Sequence, residues 1–387
     1  MLAGLAADGG LYVPEEIPRL PAGWRDWSYQ QAVTAALTLF GADQVGPLVN
    51  EAATRFTHPE IAPVVEVGDR SVFELFWGPT LSFKDHALQV LGGLLDREVT
   101  VPATILGATS GDTGSAAIEA CRGRGNLRIV ILYPEGMVSE FQRRQMTTVE
   151  DDNVLAVAVK GTFDDCQAMV KDAFRRHRGL LAINSINWAR VAAQVGYYLF
   201  LAGRMQEPFD IVVPTGNFGN VLSGWVAKQM GAPIGVIAIA NNANRGLARL
   251  VNTGSMGESQ VIPTLAPAMD INVPSNLERF SGDPSRVFLA GHADDRQIME
   301  TIAEVDRAHG YLLDPHTATA WFVAGSLPRE RPQVVVGTAH PAKFAEAVEQ
   351  SVGRRPEPPP GFDDLSRKPE RTSLIEVDPS DLDRLLR

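Results

Sequence analysis

Short apolar segments alternate with amphipathic ones through most of the chain. The apolar segments are rich in β-branched residues and nearly free of polar side chains, which is typical of strands covered on both faces of a sheet. They are ATILG at 103–107, LRIVILY at 127–133, VLAVAV at 154–159, LLAIN at 180–184, FDIVV at 209–213, IGVIAIA at 234–240 and QVVVG at 333–337. Amphipathic segments with helical spacing follow several of these strands. The alternation predicts an α/β fold with mainly parallel, open twisted sheets and flanking helices.

The same pattern suggests how the chain is divided. Residues 1–66 have more helix-like patterning and predict an N-terminal helical cap. We expect a first α/β lobe at 67–200 and a second at 201–387, the latter ending in a tail. The stretch RRPEPPPGFDD at 354–364 reads as a linker between a last helix and that tail.

Composition and charge narrow the classes of function. The 387 residues are 45% hydrophobic and carry a net charge of −11, so nucleic acid and anionic membranes are poor candidates for a main partner. The two cysteines, Cys121 and Cys166, belong to no metal-binding motif, so we expect no metal site and no disulfide framework. The N-terminus lacks the features of a signal peptide, and no run reaches the roughly 18 apolar residues of a membrane span. These features favour a cytoplasmic protein.

Unusual polar loops follow four of the predicted strands, where ligands of α/β proteins bind. They are GATSGDTG at 107–114, NSIN at 184–187, TGNFGN at 215–220 and GTAHPAKF at 337–344. In TGNFGN, Gly216 and Gly219 would let backbone N–H groups approach an anion at the start of a helix. The alternative is a glycine-rich turn with no ligand.

The other loops offer further donors, each with a plainer alternative. Ser110, Gly111, Asp112 and Thr113 could hold a carboxylate or a phosphate, or Asp112 or Thr113 could simply cap the following helix. A second set supplies amide, hydroxyl and guanidinium donors suited to phosphate, although a solvated loop would contain the same residue types. That set is Asn184, Ser185, Asn187 and Arg190. Two histidines in predicted loops, His316 and His340, could be site residues or simple local hydrogen-bond partners.

Lys84 stands where the loop GPTLSFKD at 78–85 gives way to an apolar helical pattern. A cation is disfavoured at a helix N-terminus because the macrodipole is positive there. Partial burial would also disfavour the ammonium form, which makes the amine a better nucleophile for a carbonyl. The alternative is an ion pair with Asp85 or a side chain that extends to solvent.

An amine, a phosphate cup and a carboxylate site together match the needs of pyridoxal phosphate. The sequence also resembles the threonine synthase family, pyridoxal-phosphate enzymes with the tryptophan-synthase-β-like fold. The resemblance runs nearly end to end, and members usually carry more residues before its first block. The blocks are GLAADGGLYVPEEIP at 4–18, GPTLSFKDHALQ at 78–89, GATSGDTGSAA at 107–117, NSINWARVAAQVGYY at 184–198, VPTGNFGNVLSGWVAKQMG at 213–231, AMDINVPSN at 268–276 and GTAHPAKF at 337–344.

The resemblance implies roles for these residues, with the cofactor between the lobes. Lys84 would form the Schiff base and move protons, and Thr338 would face the pyridine nitrogen. Ser110 to Thr113 would hold the substrate carboxylate or, for Asp112, lie beside the cofactor. The cofactor phosphate would be bound by Gly216, Asn217, Phe218, Gly219 and Asn220, and the substrate phosphate by Asn184, Ser185, Asn187 and Arg190.

The implied substrate is O-phospho-L-homoserine, converted with water to L-threonine and phosphate by γ-elimination and β-addition. A phospho-lyase that releases 2-oxobutanoate remains an alternative, as do a dehydratase without use for Arg190 and a non-catalytic anion-binding module. No nucleic-acid or membrane partner is expected, and the sequence leaves monomer and homodimer open.

Overall fold

A computed structural model describes residues 6, 10–183, 187–258, 260–362 and 364–386. The chain forms two compact units, one of Met1–Ala87 with Ser185–Glu357 and one of Leu88–Asn184 with Pro358–Arg387. The helices are α1 Tyr29–Leu39, α2 Gly46–Ala53, α3 Asp85–Glu98, α4 Asp112–Cys121, α5 Glu140–Thr147, α6 Phe163–Arg176, α7 Trp188–Arg204, α8 Gly219–Met230, α9 Gly246–Thr253, α10 Asp295–His309, α11 Pro315–Gly325, α12 Ala345–Val352 and α13 Pro379–Leu386. The strands are β1 Val64–Val67, β2 Arg70–Glu74, β3 Ala103–Ala108, β4 Leu127–Pro134, β5 Val154–Val159, β6 Leu180–Leu181, β7 Phe209–Pro214, β8 Ile234–Asn241, β9 Phe288–His292, β10 Gln333–Gly337 and β11 Ser373–Ile375.

The first unit contains a six-stranded sheet in the order β1-β2-β10-β7-β8-β9. Only the β1–β2 pair of this sheet is antiparallel. Val72, Val212 and Val335 point to one face, where they join a core with residues of α10 and α11. The neighbouring residues Phe73 and Ile211 point to the other face, where they meet α7 and α8. Strands buried on both faces explain the nearly continuous apolar runs.

The second unit contains a parallel five-stranded sheet in the order β11-β5-β4-β3-β6. Leu106, Val130 and Val157 pack with residues of α6 and α13. The α/β class with two mostly parallel sheets and flanking helices is therefore confirmed. Among the described residues, no helix is both long and apolar enough to cross a membrane.

Most predicted elements are confirmed, including strands β3, β4, β5, β7, β8 and β10. The predicted strand at 180–184 forms only Leu180–Leu181, and its last residue lies outside the described ones. Thr162 and Asp165 form a capping box at the start of α6, each side chain accepting from the other residue's backbone N–H.

The two units differ from the predicted division at residues 66 and 200. The reason is the strand pairing. β2 lies just after residue 66 in sequence, but it pairs with β10, which lies near the C-terminal end of the first unit. The C-terminal segment is more than a tail, because β11 pairs with β5 and so belongs with residues 88–184.

Candidate active site

Three neighbouring strands of the six-stranded sheet end at the same edge. β2, β10 and β7 lie side by side and run parallel, so the chain leaves all three in the same direction. The segments that follow carry Lys84, Thr338 and the loop 215–220. The topology thus brings three of the predicted features to the carboxyl ends of adjacent strands, where open α/β sheets bind ligands.

Lys84 immediately precedes α3, so its predicted position at a helix N-terminus is confirmed. The side chain is buried, and its Nζ atom lies 4.8 Å from the centroid of the Phe83 ring. The Phe83 N–H donates to the Thr338 carbonyl oxygen at 2.9 Å, and Ser82 forms an antiparallel bridge with Ala339. These backbone contacts fix the lysine segment beside the segment of Thr338.

Asp85 holds the loop before the lysine in shape. Its carboxylate accepts from both the N–H (2.8 Å) and the hydroxyl (2.7 Å) of Thr80. A Cβ on Gly78 would lie 2.5 Å from the Asp85 side chain, so only glycine fits there. The buried Lys343 Nζ donates to the Thr80 carbonyl oxygen at 2.6 Å. Burial raises the pKa of the Asp85 carboxyl to about 6, although the hydrogen bonds from Thr80 oppose that shift.

The loop 215–220 leads directly into α8, which begins at Gly219 within the loop. A Cβ on Gly216 would lie 2.3 Å from the Ala268 carbonyl oxygen, so this close approach of two backbones requires glycine. Phe218 caps the helix with φ of 66°, the left-handed region that residues other than glycine rarely adopt. Such strain clusters at ligand sites. The helix N-terminus adds the N–H groups and partial positive charge that favour an anion.

The side chain of Asn217 anchors this loop to the segment behind it. Its Oδ1 atom accepts from the Ser275 N–H at 2.6 Å, and its carbonyl oxygen accepts from Asn276 Nδ2 at 3.2 Å. Arg279 in turn donates to Asn276 Oδ1 at 2.5 Å and to the Tyr12 carbonyl oxygen at 2.9 Å. The loop is therefore tied through Arg279 to the N-terminal segment.

A polar stripe runs along one face of α7 and packs against α8. Its residues follow a helical spacing that places their side chains on one side of the helix. All are buried, and they are Asn187, Arg190, Gln194 and Tyr197. Gln194 accepts from Ser223 on α8 at 3.3 Å, which joins the stripe to the helix that begins in the glycine-rich loop.

Arg190 is the notable member of the stripe. It is 4% exposed, yet its Nε and Nη1 atoms have no hydrogen-bond partner among the described residues. Burial lowers the pKa of the guanidinium to about 10. Buried charges in proteins are usually paired, so two guanidinium nitrogens without a partner among the described residues are the arrangement expected where an anionic ligand binds.

Asn220 presents a similar unpaired donor. Its Oδ1 atom accepts from the phenol groups of Tyr197 and Tyr198 at 2.6 and 2.7 Å. Its Nδ2 atom is buried and has no partner within the described part of the chain. The second residue of α8 therefore offers N–H donors that no described residue uses.

Thr338 is buried, and its N–H donates to the Thr317 hydroxyl at 3.3 Å. Of the two histidines predicted in loops, His316 instead lies in the first turn of α11, and His340 precedes the short helix Pro341–Phe344; both make local hydrogen bonds. His316 lies 2.7 Å from Asp314 through Nδ1 and accepts from the Ala268 N–H at 3.2 Å, which supports the backbone behind Gly216. His340 accepts from the Ala342 N–H at 3.2 Å, and burial lowers its pKa to about 4. Both are therefore positioning residues in this structure.

The second unit holds the SGDTG loop at the start of α4. Gly111 has φ of 143°, and a Cβ there would lie 2.5 Å from the Gln142 side chain. The turn is organised by Thr109, whose hydroxyl accepts from the N–H groups of Gly111 (3.0 Å) and Gly114 (2.8 Å). The Asp112 carboxylate accepts from Gln142 Nε2 at 2.8 Å, and the N-cap residue of α4 is Gly111, which has no side chain to cap the helix.

The structure therefore gathers Lys84, Thr338, the loop 215–220, Asn187 and Arg190 in the first unit. Ser110, Gly111, Asp112 and Thr113 lie in the second unit, and Asn184 and Ser185 lie outside the described residues. Sequence reasoning assigned no role to Tyr197, Tyr198, Asn276, Arg279, Thr109 or Gln142. The available signal was that the quoted blocks at 107–117, 184–198 and 268–276 contain Thr109, Tyr197, Tyr198 and Asn276.

The residues of the first unit fit pyridoxal phosphate. They supply a buried amine, a strained glycine-rich loop at a helix N-terminus, and unpaired donors on Asn220 and Arg190 for oxyanions. Among the described residues, no group of three or more His, Cys, Asp and Glu side chains could hold a metal ion.

Comparison with known families agrees with this chemistry. Residues 74–338 match the family model described as pyridoxal-phosphate dependent enzyme. Residues 317–385 match the model for the threonine synthase C-terminal region, and residues 1–48 match the model for the threonine synthase N terminus.

Related proteins match over almost the whole chain. A threonine synthase of Pseudomonas aeruginosa is 41% identical, with 97% of this chain and 92% of the relative covered. A threonine synthase of Saccharomyces cerevisiae is 36% identical, with 91% and 85% covered.

Solved structures give the same result. A crystal structure of pyridoxal-phosphate-bound threonine synthase from Brucella melitensis matches with a TM-score of 0.94 and 38% identity, covering 100% of this chain and 94% of that one. Maize serine racemase, at 16% identity and a TM-score of 0.59, covers 75% of this chain and 91% of its own and shares the fold alone. Fold and site thus define a pyridoxal-phosphate-dependent enzyme of the lyase class. Within that class, the chain belongs to the threonine synthase family.

Proposed function

We propose that the protein converts O-phospho-L-homoserine and water to L-threonine and phosphate, the last step of threonine biosynthesis. The observation that carries this proposal is the buried Arg190, whose Nε and Nη1 atoms lack a partner among the described residues. The glycine-rich loop at α8 already provides a site for the cofactor phosphate. Arg190 is a buried cation outside that loop, so it suits a second phosphate group, and the substrate carries one.

Lys84 is the amine that we assign to the Schiff base with the cofactor aldehyde. When bound, the cofactor withdraws electrons from the substrate carbons and makes the protons on Cα and Cβ acidic. Lys84 Nζ would take the Cα and Cβ protons as phosphate leaves from Cγ, return one proton to Cγ and, after water has added its oxygen to Cβ, return another to Cα. Arg190 and Asn187 orient the departing phosphate through charge-assisted and neutral hydrogen bonds.

The remaining assignments follow the chemistry of each side chain. The backbone of Gly216 to Asn220 binds the cofactor phosphate, and the Thr338 hydroxyl faces the pyridine nitrogen. Ser110, Gly111 and Thr113 are proposed to bind the substrate carboxylate, with Asp112 beside the cofactor. Asn184 and Ser185 are proposed to add donors for the substrate phosphate.

We also propose a cytoplasmic location, since Cys121 and Cys166 form no disulfide in the described part of the chain, as is usual for proteins of reducing compartments. The partner is a small molecule, and either a monomer or a homodimer is compatible with the proposal.

The deciding experiment incubates the purified protein with pyridoxal phosphate and O-phospho-L-homoserine and measures threonine and phosphate together. Equal amounts of both support the synthase. Phosphate accompanied by 2-oxobutanoate and no threonine would establish the phospho-lyase alternative instead.

A second experiment tests the lysine. The wild-type protein should show the visible absorbance of the bound cofactor, and Lys84→Ala should lack it. An unchanged band in the variant would remove Lys84 from this role, whereas a wild-type protein that binds no cofactor would refute the enzyme itself.

A further inference from the structure

Two consecutive tyrosines of α7 donate to the same oxygen atom. The phenol groups of Tyr197 and Tyr198 lie 2.6 and 2.7 Å from Asn220 Oδ1, and both side chains are fully buried. Successive side chains on a helix normally diverge, because each residue turns the helix by about 100°. Their convergence on one acceptor means that the two rings lean against each other, with centroids 4.9 Å apart, and that Asn220 Oδ1 lies within hydrogen-bond distance of both hydroxyl groups.

We propose that Tyr197 and Tyr198 are positioning residues that hold the Asn220 carboxamide in one orientation, with its amide nitrogen presented to an acceptor oxygen of the bound ligand. The inference deepens the proposed function and rests on it. The acceptor is an oxygen atom of either the cofactor or the substrate phosphate, and it is anionic in both cases.

The orientation follows from counting donors and acceptors. Each phenol has one O–H donor, and both phenols donate it to Asn220 Oδ1. If the carboxamide were turned over, its N–H groups could donate to the phenol oxygens, but both O–H groups would lose their acceptor and the amide oxygen would face the anionic ligand. With an oxyanion bound, the observed orientation leaves no donor unpaired, so it is the favoured one.

The consequence is that Asn220 can act only as a donor toward a ligand. Its Nδ2 atom is buried and has no partner in the described part of the chain. Asn220 is the second residue of α8, directly after the strained loop at Phe218. Burial raises the pKa of both phenols well above their ordinary value, so they stay protonated and keep donating throughout the working pH range.

Each tyrosine also packs against a neighbouring helix. The Tyr197 ring lies 5.6 Å from the His86 ring at an angle of 70°, and His86 is two residues beyond Lys84. Tyr198 packs against Gly224 on the next turn of α8, where a Cβ would lie 3.3 Å from its ring. The phenols are thus fixed by packing as well as by their hydrogen bonds.

The test compares Tyr197→Phe, Tyr198→Phe and the double variant, each measured in two ways. Titration of the cofactor into apoprotein gives its dissociation constant, and steady-state kinetics with O-phospho-L-homoserine give KM and kcat. Each single variant keeps one phenol and should change either constant by less than about threefold. The double variant should weaken binding of one ligand by about tenfold or more, beyond the product of the single effects.

The constant that changes identifies the acceptor. A higher cofactor dissociation constant with unchanged KM assigns the acceptor oxygen to the cofactor, and the reverse assigns it to the substrate phosphate. Asn220→Asp is the second variant, because it keeps an oxygen for both phenols but removes the amide donor. It should weaken binding of the same ligand while both phenols keep their acceptor. This variant therefore still tests the proposal if the double variant fails to fold.

Tyr133→Phe is the matched control. Tyr133 is also buried but lies in the other unit, where its hydroxyl is hydrogen-bonded to the Thr372 hydroxyl at 3.1 Å. It should leave both ligand constants at their wild-type values. If the double variant and Asn220→Asp both bind cofactor and substrate as the wild type does, the orientation role is wrong even though the enzyme is active. A wild-type protein that binds no cofactor would instead refute the proposed function.

Discussion

A guanidinium group removed from water costs several kcal/mol of free energy unless an anion accompanies it. Arg190 is nearly fully buried, and two of its nitrogen atoms have no partner among the described residues. A nearby phenol, Tyr197, offers little compensation, because phenols are neutral at working pH. We therefore expect the residue to make the unliganded protein less stable and to gain its partner when the proposed phosphate ligand binds.

Replacing Arg190 with Met separates these two effects. Arg190→Met should not lower the melting temperature of the unliganded protein, because a methionine of similar length removes an uncompensated charge. It should reduce kcat/KM for O-phospho-L-homoserine by about 100-fold or more, the cost of losing one partner of a buried charge pair. Thermal unfolding and steady-state kinetics measure the two effects.

Arg204→Met on the same helix is the control, because Arg204 is exposed at the end of α7. This variant should change neither quantity by much. A dehydratase has no use for Arg190, so full activity of Arg190→Met would contradict the assignment of the substrate phosphate to this arginine.

At the scale of elements, the loop 215–220 keeps its shape through backbone packing. Gly216→Ala would place a Cβ 2.3 Å from the Ala268 carbonyl oxygen, and backbone cannot yield as a side chain does. We expect the loop to shift and the cofactor dissociation constant to rise by about 10- to 100-fold, with the fold retained. Gly46→Ala is the control, since the nearest atom to its Cβ is a methyl group at 3.8 Å. Wild-type cofactor affinity in Gly216→Ala would show that the loop does not hold the phosphate.

The N-terminal segment and the same loop are joined by one side chain. Arg279 donates to the Tyr12 carbonyl oxygen and to Asn276, which donates to the Asn217 carbonyl oxygen. A lysine cannot reproduce two bonds in these directions, so Arg279→Lys should weaken cofactor binding by roughly tenfold. Limited proteolysis should also cut the variant faster near its N-terminus. The control is Arg19→Lys, because Arg19 is exposed and donates to the Gln229 carbonyl oxygen. Equal rates of proteolysis for Arg279→Lys and the wild type would argue against the link between the N-terminal segment and the loop.

The elements that the sequence predicted best are the ones buried on both faces. Strands such as Val154–Val159 carry an uninterrupted apolar run that few other structures require. The hairpin of β1 and β2 was missed because Val64–Val67 (VVEV) and Arg70–Glu74 (RSVFE) are short and form neither a continuous apolar run nor a strict alternation. The division into units was missed because it depends on pairing between residues far apart in sequence, such as Val72 with Val335.

The candidate site shows the same limit. Lys84 and the glycine-rich loop could be predicted because their residue types are unusual where they occur. Tyr197, Tyr198 and Arg279 could not, since aromatic residues and arginines are common, and their roles arise from partners on other elements. A sequence gives the chemistry of a group, but its hydrogen-bond partner depends on the tertiary fold.

At the scale of the whole molecule, buried neutral histidines should control stability in acid. Burial lowers the pKa of His86 to about 3 and that of His340 to about 4, both from 6.5. Below pH 6.5 the unfolded chain binds protons that these histidines do not bind when folded, so stability is lost as the pH falls. Asp85 acts in the opposite sense, because its raised pKa lets the folded protein hold a proton between about pH 4 and 6. Two histidines outweigh one carboxyl, so the net stability should decrease from pH 6.5 toward 4.

His340→Asn tests this balance without disturbing the local fold. Asparagine keeps an acceptor for the Ala342 N–H at the start of the short helix Pro341–Phe344, but it binds no proton. The stability lost between pH 6.5 and 4 should therefore be smaller than in the wild type by about 2–3 kcal/mol, at roughly 1.4 kcal/mol for each unit of pKa shift. Urea unfolding of the cofactor-bound protein, followed by fluorescence at both pH values, measures the difference. The same loss in both proteins would mean that His340 is protonated in the folded state, and the acid sensitivity would then have to come from His86 and other groups.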